Sequence, residues 1–72
     1  KISIYTADRN IIVNCPKEAK QVYIYNTLGS LIKMDNNVNG LKKFDMSHEL
    51  SEYYFVKGVT QYSVYNQKVL IK

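Results

Sequence analysis

The sequence predicts a small all-β domain, an antiparallel sandwich or partly open barrel of about seven short strands. Three observations carry this. β-branched and aromatic residues dominate, and they recur mostly at every second position. Turn-forming Gly, Asn, Asp and Pro residues break the chain at intervals of about eight to twelve residues. No segment holds a 3.6-residue apolar period long enough for a helix.

Ile2 and Ile4 alternate with polar neighbours and read as a first strand, ended by a turn at Asp8-Arg9-Asn10. Ile11-Ile12-Val13 follows, and Cys15-Pro16-Lys17-Glu18 is expected to break it, because proline cannot donate to a ladder and restricts its predecessor. Gln21 to Tyr25 is the clearest strand, with Val22 and Ile24 on one face and Tyr23 and Tyr25 on the other. Asn26-Thr27-Leu28-Gly29 reads as a hairpin turn in which Gly29 takes positive φ, and Leu31 to Met34 restarts the sheet.

The polar run from Asp35 to Asn39-Gly40 reads as a loop closed by a tight turn. Lys42 to Met46 is a strand with Phe44 and Met46 on one face, and Ser47 to Glu52 has room only for a helical turn. Tyr53 to Lys57 is strongly β, and Gly58 is expected to begin a break. Tyr62 to Tyr65 and Lys68 to Lys72 read as two closing strands joined at Asn66-Gln67. The expected core is Ile4, Val13, Val22, Ile24, Leu28, Leu31, Phe44, Val56, Val64, Val69 and Ile71.

With 72 residues the chain allows one domain, spanning 1–72. A chain of this mass buries about 62% of its extended surface, which leaves folding marginal without good packing. Cys15 is the lone cysteine, so no intramolecular disulfide is available. It reads as a small apolar filler at a strand end, ahead of a reactive thiol or an intermolecular bridge. The formal charge of +4 is spread thinly over the chain, with no run of like charges that would mark a nucleic-acid arm. No apolar stretch is long enough to span a bilayer, so the expectation is a domain that is not membrane-embedded and binds no nucleic acid. The chain opens mid-strand, which reads as a piece of something longer.

No catalytic site, metal site or cofactor is expected. His48 is the lone histidine and lacks the close ligand partners of a zinc site. A Cys15–His48 nucleophile has no supporting motif. Asp35, Asp45, Glu49 and Glu52 do not follow a calcium-loop spacing, and no phosphate-binding loop or dinucleotide fingerprint occurs. The unusual feature is seven tyrosines with no tryptophan. Tyr53 and Tyr54 must face opposite ways, so several rings lie on an outer face. They read either as ordinary strand residues or as a recognition surface of rigid aromatic area with polar tips.

The stretch from Val22 to Ile32, containing Ile24-Tyr25-Asn26 and Leu28-Gly29, resembles a signature of the C-terminal sorting domains of the type IX secretion system of Bacteroidota. Phe44-Asp45-Met46-Ser47 resembles the family's next strand. Leu50 to Lys57, including Tyr54 and Val56, resembles its following block, with Glu52 where the usual glycine falls. Lys68-Val69-Leu70-Ile71-Lys72 resembles its closing strand. The resemblance implies an immunoglobulin-like β-sandwich attached to an upstream cargo domain. It also implies a non-catalytic sorting signal, carried through the periplasm to the cell surface or medium. Its partners would be the type IX translocon, with residues 68–72 as the recognised strand, and a sortase-like peptidase. The alternative is a structural, glycan-binding or protein-binding accessory domain.

Overall fold

The computed structural model describes residues 2–72, except the side chains of 16–20. It has five strands: β1 (Ser3–Ala7), β2 (Asn10–Tyr25), β3 (Leu31–Asp45), β4 (Tyr53–Val59) and β5 (Val64–Leu70). β2 carries β3 along one edge and divides its other edge between β1 near its start and β4 near its end. β5 pairs with β4 and returns to contact β1. All pairings are antiparallel, and the single sheet curls into a nearly closed barrel.

This corrects the immunoglobulin-like sandwich of about seven short strands. The stretches expected to break a strand at 15–18 and to form a loop at 35–40 instead lie along one long hairpin, with Cys15 opposite Gly40 and Lys20 opposite Val38. The register shifts between these pairs, so turn-forming chemistry on both strands produces a shared bend where a chain reversal was expected. Proline and glycine are accepted in sheets at such irregularities, and Gly40 sits there at φ 92°. Val38, expected in a loop, is buried. Gly58 likewise lies inside β4, and β5 runs unbroken through Asn66-Gln67. Lys68 to Leu70 are therefore the end of β5, while Ile71 and Lys72 lie beyond it.

The interior is filled from every strand. Ile11, Val13 and Cys15 from the first arm of β2 meet Val22 and Ile24 from the second. Val38, Phe44, Met46, Tyr54, Val56, Val69 and Ile71 belong to the same cluster, and Ile4 of β1 packs against it. Burying a Val, Ile or Phe side chain stabilises by about 1.5–3 kcal/mol, so these residues dominate the fold's energetics. Leu28, Leu31 and Val64 correct the expected core: Leu28 is 89% exposed at the hairpin tip, and the other two face solvent. The sequence reading also missed Ile11, Val38 and Tyr54 as interior residues.

Candidate functional site: an aromatic outer face

Strand alternation sends Tyr23 and Tyr25 outward from β2 while Val22 and Ile24 fill the core. The same alternation on β4 sends Tyr53, Phe55 and Lys57 outward while Tyr54 and Val56 are buried. The registers then assemble these residues into rows. Tyr25 stands opposite Phe55, and Tyr23 opposite Lys57. On the β5 side, Phe55 stands opposite Lys68 and Tyr53 opposite Leu70. On the β3 side, Leu31 flanks Tyr25 and Met34 flanks Tyr23.

The result is a continuous four-strand surface with aromatic rings at its centre. Tyr53 is 47% and Phe55 44% exposed. The Tyr23 and Tyr25 rings stack with centroids 6.4 Å apart and planes inclined by 27°. Lys68 places its ammonium 4.7 Å from the centre of the Tyr53 ring, where the negative ring face attracts it. Contiguous exposed apolar surface of this kind marks interaction sites on soluble domains.

A second feature lies at one end of the seam between β1 and β5. There a cleft of about 350 Å³ is lined by Thr6–Arg9 and Leu70–Lys72. Asp8 and Arg9 form the two-residue β1–β2 turn, both with positive φ (50° and 60°), as a type I′ hairpin requires. Positive φ is uncommon for a residue such as arginine, and the side chain's bonds account for it. Its guanidinium donates to Ser51 Oγ at 2.8 Å, to the Glu49 carbonyl at 2.6 Å and to the Met46 carbonyl at 3.3 Å. It also donates to the Lys72 carbonyl. Met46 N–H donates back to the Arg9 carbonyl, and Ile71 N–H to the Glu52 carbonyl. The Arg9 guanidinium is thus engaged in joining the turn, the β3–β4 loop and the chain end. Sequence reading placed Arg9 only in a turn; its being the chain's sole arginine among many lysines was the available signal.

The residues singled out by the family resemblance do not form one site. Ile24 and Val56 are core, and Tyr25 and Lys57 belong to the aromatic face. Asn26 caps its own turn, its side-chain oxygen accepting from Leu28 N–H and Ser30 N–H. Leu28 projects from that turn, and Gly29 has φ 86° as expected. Leu50 has an exposed side chain, while its carbonyl accepts the Tyr54 hydroxyl at 2.7 Å. Burial, reinforced by the charges of Glu52 and Glu49, pushes the Tyr54 phenol above its ordinary range. Glu52 reaches its turn without positive φ. At the chain end Val69 and Ile71 are buried, Leu70 is 37% exposed, and Lys68 and Lys72 are exposed.

Asp35 and Asp45 lie off the aromatic face. Asp35 pairs with Lys42 at 3.3 Å, and the Asn37 N–H followed by Lys42 holds its carboxyl below the usual range. Asp45 is lowered by hydrogen bonds from Ser47. His48 is exposed and Cys15 is buried. Among the described residues no cluster of three or more His, Cys, Asp or Glu side chains could hold a metal ion. Among the described residues no helix is long and apolar enough to cross a membrane. Comparison with protein families and with curated proteins finds no matching family model and no matching protein.

Proposed function

We propose that this domain is a non-catalytic accessory module that binds another protein through the outer face of β3, β2, β4 and β5. The single observation that carries the reading is the register, which sets the half-buried Tyr23 and Tyr25 beside the exposed Tyr53 and Phe55 at the centre of the sheet's outer face. Interface centres are enriched in Tyr, Phe and Met and poor in carboxylates, with polar or charged residues at the rim. This face has that composition, with Lys57 and Lys68 beside its aromatic centre and Asn66 beyond Lys57. Tyrosine adds area at low conformational cost and keeps a hydroxyl for a partner.

A glycan platform would also use aromatic rings, but it needs acceptors for sugar hydroxyls. The flanks here are Leu31, Met34 and Leu70, which suit apolar protein side chains better. The test is the protein in its own host with Tyr25→Ser and Phe55→Ser, compared with Leu41→Ser on the other arm of β3. The double variant should keep the wild-type melting behaviour and lose its higher-mass complex on native gels, while Leu41→Ser keeps both. An unchanged complex in the double variant overturns the reading.

A second reading, the sorting signal that the family resemblance implies, is favoured by the closing residues. Val69 and Ile71 anchor them while Leu70 stays accessible between Lys68 and Lys72. A translocon component would read such a segment along its exposed side, and a peptidase would remove the domain from its cargo. Deleting residues 68–72 from the exported parent should then leave cargo in the periplasm, and normal surface display would refute this reading.

A further inference from the structure

We infer that the partner bound by the aromatic face presents carboxylates around an apolar centre, so that docking is steered and oriented by Lys57 and Lys68. This rests on the protein-binding reading above and specifies its partner. The observation is an imbalance of charge. None of the residues in register on the face carries a carboxylate, while two carry ammonium groups. Among the described residues neither lysine is in a salt bridge, whereas Lys42 on β3 is paired with Asp35.

Their placement matters as much as their sign. Lys68 is held over the Tyr53 ring, and Lys57 is half-buried opposite Tyr23, so both charges border the aromatic centre from the β4–β5 side. A cation fixed against a ring loses less side-chain freedom on pairing than one swinging in water. Complementary charge at an interface raises encounter rates and fixes register, and like charge rejects wrong partners. A second copy of this chain is disfavoured on the same ground, because two such faces would bring ammonium groups together. A single-stranded nucleic acid would stack on the rings, but it needs a cationic groove tracking its backbone. Two lysines on one side do not supply that groove.

The probe is a synthetic octapeptide alternating glutamate and valine, titrated into the domain at low salt and followed by amide chemical shifts. Its lysine–valine counterpart, an oligogalacturonate and an oligothymidylate serve as comparisons. The expected result is perturbation centred on Tyr25, Phe55 and Lys68 by the glutamate peptide. Affinity should drop about tenfold or more when salt rises severalfold, as screening shortens the reach of the charges. A Lys57→Glu, Lys68→Glu variant should lose the glutamate peptide and gain the lysine peptide. Equal binding of both peptides overturns the acidic partner while leaving the protein-binding reading intact. Tighter binding of the acidic glycan or the oligonucleotide at these residues overturns both. No perturbation by any probe overturns the inference, and the Tyr25→Ser, Phe55→Ser complex then decides the reading separately.

Discussion

The Arg9 guanidinium donates to the main-chain carbonyl of Lys72, 63 residues further along the chain. That contact ties the first hairpin to the last residues, at the seam where β5 returns to β1. Because the same side chain also reaches Met46, Glu49 and Ser51, one residue organises three segments.

Arg9→Ala should therefore destabilise by about 2 kcal/mol or more, since bonds to a charged donor contribute about 1.5–3 kcal/mol each and alanine keeps the Cβ that makes the left-handed turn costly. Arg9→Lys should recover little, because one ammonium cannot serve carbonyls on both sides of the fork. Urea melts of both variants check this; wild-type stability in Arg9→Ala would show the contacts to be dispensable.

Gly29 takes φ 86° in open space, so a side chain there meets no atoms and the penalty is purely conformational. Gly29→Val should cost about 1–2 kcal/mol, and Gly29→Asn clearly less, because asparagine tolerates the left-handed region. Equal midpoints for the two variants in denaturant would contradict this.

The Tyr54 phenol is raised by burial, so the folded state holds its proton where the unfolded chain releases it. Its stabilising contribution is full below the unfolded value near 10 and fades as pH climbs through the higher folded value. Thermal melts between pH 9 and 11 should show falling midpoints, and Tyr54→Phe should flatten that fall. Tyr54→Phe should cost about 1 kcal/mol at neutral pH through the bond to Leu50.

Core and surface apolar residues should separate sharply under alanine substitution. Met46→Ala should cost about 2–5 kcal/mol, as expected of a fully buried side chain. Leu28→Ala and Leu70→Ala should each change stability by under about 1 kcal/mol. Comparable losses at Met46 and Leu28 would refute the assignment of inside and outside.

Much of the local structure was readable because period-two alternation is a short-range signal. It placed Val22, Ile24, Val56, Val69 and Ile71 inward and Tyr23 and Tyr25 outward, and set Tyr53 and Tyr54 on opposite faces without saying which is buried. The Gly29 turn was readable because positive φ selects its residues. Strand continuity was not, because the Cys15–Pro16 and Asn39–Gly40 signals look the same whether they reverse a chain or bend a paired hairpin. Only the register of β2 with β3 separates those outcomes, and register is a long-range property. The candidate site was half visible: outward tyrosines follow from alternation, but the meeting of Tyr25 with Phe55 follows from β2–β4 pairing.

The most direct test places a photo-cross-linking phenylalanine analogue at position 55 and, separately, at position 41, in the protein within its own host. Phe55 lies at the centre of the aromatic face, while Leu41 is exposed on β3 opposite Asn14. The account predicts a discrete adduct with a different protein from position 55, lost with the Lys57→Glu, Lys68→Glu changes, and none from position 41. Adducts of equal yield from both positions, or none from position 55, would contradict it.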